Sequence, residues 1–178
     1  MVQIVIKEPD GIRQRFTEAC ALIGTGGARQ SFSRTLNHEG AKALTAVRRA
    51  LVEQTSLPRA GVVARTKFKG SSPATLIAFI LGEGRPLPIS YFAPKAFSYG
   101  VRVKLWGRFQ VLRGAFVAYE RGQAFKRIGP ERGPIRGMYG PGIANELVKD
   151  QSKKAFEEAL PSIYTRAVYD LARMLAVR

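Results

Sequence analysis

Ser98-Tyr99-Gly100-Val101-Arg102-Val103-Lys104-Leu105 decides how this chain folds. Tyr99, Val101, Val103 and Leu105 alternate with Ser98, Gly100, Arg102 and Lys104. A period of two sends alternate side chains to opposite faces of a strand. The stretch therefore predicts a half-exposed antiparallel strand, apolar on one face and basic on the other. Similar segments surround it. Residues 75–81, with the apolar run Leu76-Ile77-Ala78-Phe79-Ile80-Leu81, read as a strand, and Gly82-Glu83-Gly84-Arg85-Pro86 as a loop. Residues 87–92 read as an edge strand, because Pro88 cannot donate to a ladder. Residues 109–112 and 115–119 follow as strands joined through Arg113-Gly114, and a short one lies near 124–128.

Helical patterns flank this β-rich centre. Residues 2–7 read as a short strand, and Glu8-Pro9-Asp10-Gly11 is turn chemistry. Ile12, Phe16, Ala19, Cys20 and Ile23 recur at helical spacing before Gly24-Thr25-Gly26-Gly27 breaks the chain. From about 28 to 54 a long helix is predicted, its stripe formed by Phe32, Leu36, Ala43, Leu44, Val47, Leu51 and Val52. Gly40 weakens that helix by roughly 1 kcal/mol relative to Ala and invites a kink. Leu57-Pro58 ends it. Residues 61–72 read as basic and irregular. A last helix opens with Ile143, Leu147 and Val148 and runs to the C-terminus, kinked or split at Pro161. The segregation of helices from strands predicts an α+β fold: an antiparallel sheet packed by a long N-terminal helix and a C-terminal helix. All of residues 1–178 are read as one domain. Residues 121–142 read as a long Pro/Gly/Arg-rich loop before the last helix. A loop of that size is ordered by a partner or serves a function. Its Met138 and Tyr139 would have nothing to bury against in a free monomer, and its deletion is expected to leave a folded monomer.

Charge is the most unusual bulk property. Lys plus Arg number 29 against 13 Asp plus Glu, a net charge of +16. The excess concentrates in residues 61–138, which hold 14 basic and 3 acidic side chains. That segment must face a polyanion, an acidic partner or solvent. No apolar run approaches the roughly 20 residues that cross a bilayer, so no membrane association is expected. The N-terminus lacks the pattern of a signal peptide. The lone Cys20 cannot form an intrachain disulfide and agrees with a reducing interior.

Catalytic chemistry finds little support. His38 is the only histidine and sits within a helical segment, where a solvent-facing or capping role is expected. The sheet region offers Glu83, Glu120 and Glu131, all beside turns, whereas acid–base catalysis needs two carboxylates at one cleft. Gly24-Thr25-Gly26-Gly27 lacks the spacing of a phosphate-binding loop and reads as a flexible turn. We therefore expect no enzyme, cofactor or metal. The aromatics Tyr91, Phe92, Phe97, Tyr99, Trp106, Phe109, Phe116 and Tyr119 are read as core and interface packing. The alternative is that some stack on bases.

Two stretches resemble the minor tail protein Z family of tailed bacteriophages. One is Arg34-Thr35-Leu36-Asn37-His38-Glu39-Gly40-Ala41-Lys42-Ala43, similar to an early helix of that family. The other joins Gly114-Ala115-Phe116-Val117-Ala118, Phe125-Lys126-Arg127, Arg132-Gly133-Pro134-Ile135 and Met138-Tyr139-Gly140-Pro141-Gly142-Ile143. It is similar to the family's Gly-Ala-Phe strand, Arg-bearing strand, Leu-Pro-Ile step and Tyr-Gly-Pro-Ser-Ile step into the last helix. Gly133 stands where the family pattern has Leu, Gly142 where it has Ser, and Ala144 where a Pro often follows. The resemblance covers most of residues 28–175.

The resemblance implies a structural virion protein acting in tail completion or the neck, at the head-proximal end of the tail, where head and tail join. It implies copies in a ring, often sixfold, touching tail terminator, neck or connector proteins, with genomic DNA in the channel. Assembly would take place in the host bacterial cytoplasm. A ring needs a heterologous interface, for which the expected residues are Arg121, Phe125, Arg127, Arg132, Pro134, Ile135, Met138, Tyr139 and Pro141. Arg65, Lys67, Lys69, Arg102, Lys104 and Arg108 are the expected DNA-facing cations. The alternative function is sequence-independent nucleic-acid binding, which the basic middle segment would serve without any virion role.

Overall fold

The structure is a computed structural model and describes residues 21, 24, 26–118 and 122–176. The expected strand at 2–7, the turn after it, the stripe from Ile12 to Ile23, Cys20 and Arg121 lie outside the described residues. The fold is α+β, with antiparallel strands between a long N-terminal and a long C-terminal helix. The helices are α1 (Gly26–Thr55), α2 (Arg59–Arg65), α3 (Ile143–Leu147) and α4 (Asp150–Ala176). The strands are β1 (Thr66–Lys69), β2 (Phe79–Gly82), β3 (Lys95–Phe97), β4 (Gly100–Leu105), β5 (Arg108–Arg113), β6 (Ala115–Ala118), β7 (Gln123–Arg127) and β8 (Ile135–Gly137). They form three antiparallel sheets, ordered β1-β2, β3-β4-β5 and β6-β7-β8, rather than one. Short turns explain the division. Gly114, at φ 70°, turns the chain out of β5 into β6, which pairs with β7 instead.

Two compact units make up the chain. One comprises Met1–Gly40, Gly70–Ala78 and Ser162–Arg178; the other comprises Ala41–Lys69 and Phe79–Pro161. The second holds the hydrophobic core. Val47 and Leu51 of α1, spaced one helical turn apart, meet Leu57, Val62 of α2 and Ile143 of α3. Val101, Val103 and Leu105 of β4 enter the same cluster with Ala115 and Ala124. This is the apolar face that the alternation of residues 98–105 predicts. Burying each such aliphatic side chain contributes about 1.5–3 kcal/mol. Buried polar groups are satisfied around this core. The Gln54 amide donates to the Glu146 main-chain carbonyl (3.1 Å) and to Oε2 (2.8 Å), and its Oε1 accepts from Ser152 N–H and Oγ–H. Trp106 Nε1–H donates to Glu146 Oε1 at 3.3 Å, so the buried carboxylate has donors on both oxygens.

The first unit depends more on polar contacts. Arg29 donates to the Pro73 and Ala74 carbonyls, both at 2.8 Å. Asn37 bridges Ser71, accepting its N–H at 2.6 Å and donating to its carbonyl at 3.0 Å. Thr35 Oγ1–H donates to Asp170. Glu39 is buried, and Ser162, His38 and Arg166 lie around its carboxylate.

Several local expectations change. Residues 87–92 form no edge strand: Ile89–Phe92 is a 3-10 turn with Pro88 as its N-cap, and Ile89 and Phe92, three apart, are buried together. Pro88 keeps only an isolated bridge to Tyr139. Residues 61–69 are ordered as α2 and β1, where Thr66 is buried and anchored by Arg48 through two 2.7 Å hydrogen bonds. Of the strand expected at 75–81, only β2 forms; Leu76 has φ 51°, which no strand tolerates. The glycine run is helical at Gly24 and Gly26–Gly27, and α1 starts there, ahead of the buried Ala28. The last helix is preceded by the separate turn α3, and Asp150 at φ 45° marks the break. Pro161 lies inside α4 and does not end it.

Candidate functional site

The segment expected to be one long loop is mostly a β-hairpin. Phe125↔Gly137, Lys126↔Arg136 and Arg127↔Ile135 are register partners of β7 and β8, and Ile128 N–H donates to the Pro134 carbonyl beyond them. Only the tip, residues 129–133, projects past this ladder. Strand pairing prevails over the Gly and Pro content because the breakers cluster at the tip and the β7 residues are β-compatible. Met138 is also not idle: it packs on the core, its N–H donates to Ala124, and its carbonyl accepts from Ile89 N–H and the Gln123 amide. The segment 121–142 therefore cannot be removed whole from a folded monomer, since Ala124 belongs to the core and Met138 packs on it.

The expected interface residues separate accordingly. Pro141 is buried and serves the fold, with Gly140, Gly142 and Ile143 beside it. A Cβ on Gly140 would lie 2.8 Å from the Phe92 ring and 3.0 Å from Leu105, so only glycine fits. Phe125 is half-buried against its cross-strand partner Phe116, ring centroids 6.2 Å apart. Arg127 stacks over the Phe116 ring at 5.2 Å and donates to the Arg132 carbonyl. Arg132, Pro134, Ile135 and Tyr139 are exposed. Ile128, absent from the sequence-based set, is 67% exposed and lies with Ile135 at the tip end of the hairpin, whereas Tyr139 follows β8 at the other end. The missed role of Ile128 follows from periodicity: read as the last residue of a strand, it carried no sign of which face it would take. A cleft of about 550 Å³ opens beside these residues, lined in part by Lys126, Arg127, Arg136 and Tyr139. Among the described residues, β8 is the outermost strand of its sheet, and just beyond it Met138, Tyr139 and Gly140 are joined to residues 87–89.

The six cations expected to face DNA fall in separate places. Arg65 is half-buried, its guanidinium 4.7 Å from the centroid of the Tyr91 ring. Lys67 pairs with Glu83 across β1 and β2, and Lys69 is exposed at the end of β1. Arg102 and Lys104 share the outer face of β4. Arg108 is opposite Leu105 in the register and so belongs to the other face. The structure adds two cations to Arg102 and Lys104. Lys95 is directly opposite Arg102, and Arg113 lies on β5 in the row of Gly100. Neither was legible, because Lys95 follows a proline in an apparent loop and Arg113 read as a turn. Phe109, opposite Lys104, is on this basic face as well. The division into an apolar and a basic face expected of residues 98–105 thus does not extend to β5: Arg102 covers the Phe109 ring at 4.4 Å.

His38 is half-exposed and contacts Glu39 at 3.0 Å. Among the described residues, no group of three His, Cys, Asp or Glu is placed to hold a metal. No helix among them is long and apolar enough to cross a membrane. No known family, no curated protein and no solved structure matches the chain.

Proposed function

We propose that this protein is a structural virion component of a tailed bacteriophage, of the tail-completion kind, acting where the tail meets the head. The observation that carries the reading is the division of labour within residues 114–143. The positions shared with the minor tail protein Z pattern include those that fix the backbone here: Gly114 at its positive φ, the Phe116–Phe125 pair, and the buried Gly140, Pro141 and Ile143. Between them, Ile128 and Ile135 are exposed at the tip end of the hairpin and Tyr139 just after β8, which among the described residues is the outermost strand of its sheet. An open edge offers unpaired N–H and C=O groups to another chain, and exposed apolar side chains beside it add buried area on contact. Such a surface serves assembly, and a heterologous contact of this kind closes into a ring when its rotation allows. The partners on this reading are further copies of the chain and neighbouring terminator, neck or connector proteins. Its place is the virion, assembled in the bacterial cytoplasm.

Complementation tests the proposal. A phage with a stop codon early in this gene is supplied with the wild-type chain or with Ile135→Asp/Tyr139→Asp from a plasmid. Both residues are exposed, so the variant should stay folded. The wild type should restore infectious particles, and the variant should leave joining defective while remaining folded. Full rescue by the variant would remove the hairpin from the proposal.

A further inference from the structure

We propose that the outer face of the β3-β4-β5 sheet is a binding surface for single-stranded nucleic acid. This does not rest on the virion reading. Register partners in an antiparallel ladder share a face, which assembles one surface in three rows: Lys95, Arg102 and Val111; Lys104 and Phe109; Phe97, Gly100 and Arg113. Neighbouring strands lie about 4.8 Å apart and alternate residues about 6.8 Å apart, so four cations share a small area. None of the four has an acidic partner among the described residues, and no Asp or Glu occurs anywhere in residues 84–119. Lys95 directly opposite Arg102 is a like-charge pair, unfavourable in isolation and relieved by a polyanion.

The aromatic content narrows the ligand. Phe109 is 64% exposed, Tyr99 56% and Phe97 42%. Phe97 and Tyr99 stack on each other at 5.3 Å and 10°. A cleft of about 280 Å³ opens among Lys95, Arg102, Lys104 and Phe109. Gly100 contributes no side chain to its row: a Cβ there would lie 2.4 Å from the Leu112 carbonyl oxygen. Cations alone would suit duplex DNA or an acidic protein. Exposed rings among the cations suit unpaired bases, which stack on aromatic faces while the phosphates meet Lys and Arg. No amide side chain stands in these rows, since Gln110 faces the other way opposite Val103. Adenine therefore has no bidentate amide reader here, and stacking on the rings accepts any base.

Fluorescence anisotropy of the full chain with labelled oligo(dT) of about 20 nucleotides, and with a duplex of equal length, tests this at about 50 and 200 mM salt. Phe109→Ala should weaken oligo(dT) binding about tenfold and leave duplex binding within twofold. Arg102→Ala/Lys104→Ala should weaken both and lower the salt slope for oligo(dT) by about 1.4. Lys153→Ala/Lys154→Ala removes equal charge from an exposed part of α4 and should have far less effect on either ligand. Circular dichroism should show all three variants folded. Equal losses from the two double variants, no effect of Phe109→Ala on oligo(dT), no binding at low salt, or competition by polyglutamate as effective as by oligo(dT) would each overturn the proposal.

Discussion

Gly140 joins the hairpin to the core at the scale of a single residue. The Phe92 ring and Leu105 occupy the space where its Cβ would be. Gly140→Ala should therefore destabilise by about 1–3 kcal/mol, the usual cost of overpacking, read as a lower midpoint in urea unfolding with an unchanged slope. Gly100 is a second such position, at φ 145° with a carbonyl behind it. Neither requirement is legible in the sequence. A glycine among prolines reads as a loop residue, and a glycine in an alternating strand reads as its polar member. The constraint comes from atoms of distant segments, which sequence pattern does not contain. Arg102 and Lys104 were legible because alternation alone assigns them to the face opposite Val101 and Val103. Lys95 and Arg113 gain their place only through strand register.

Elements show the same division between local and distant causes. The stripe of α1 is local, and its Ala43, Leu44, Val47 and Leu51 are buried as the helical spacing predicts. Leu51→Ala should cost about 2–5 kcal/mol, measurable by the same unfolding experiment. Strands with clean alternation, β4 above all, were equally readable. The 3-10 turn at Ile89–Phe92 was not, because apolar residues at spacing three inside a run of six satisfy strand and helix patterns alike. The hairpin of β7 and β8 was obscured by composition: a segment rich in Gly, Pro and Arg reads as a loop, although its breakers sit mainly at the tip. Removing only residues 129–133, with a two-residue Asn-Gly turn in their place, should leave the thermal unfolding midpoint within a few degrees. Deleting the whole of 121–142 should instead abolish cooperative unfolding, because it takes Ala124 and Met138 from the second unit. In α4, Pro161 withholds a backbone donor in the helix interior. Pro161→Ala should stabilise by up to the roughly 3 kcal/mol that separates the two residues in helices, read as a higher unfolding midpoint.

For the whole molecule, charge and exposed apolar surface are the two properties on which the proposed contacts depend. A net charge of +16 keeps free copies apart through mutual repulsion. The proposed assembly has such copies meet at the hairpin of β7 and β8, near which Ile128, Ile135 and Tyr139 are exposed. Repulsion is screened within about 8 Å at physiological salt, so assembly should be favoured by salt while nucleic-acid binding is weakened by it. Sedimentation velocity across a salt series separates the two behaviours: larger species should grow with salt for the wild type and stay absent for Ile135→Asp/Tyr139→Asp. The α+β class was readable from the order of patterns along the chain. The number of sheets and the division into two units were not, since both depend on which strands meet.

The assembly role itself is tested most directly by electron microscopy of a lysate from phage carrying a stop codon early in this gene. The account predicts filled heads beside unjoined tails, or joined particles with a defective neck. Normal, joined and infectious particles in that lysate would contradict it.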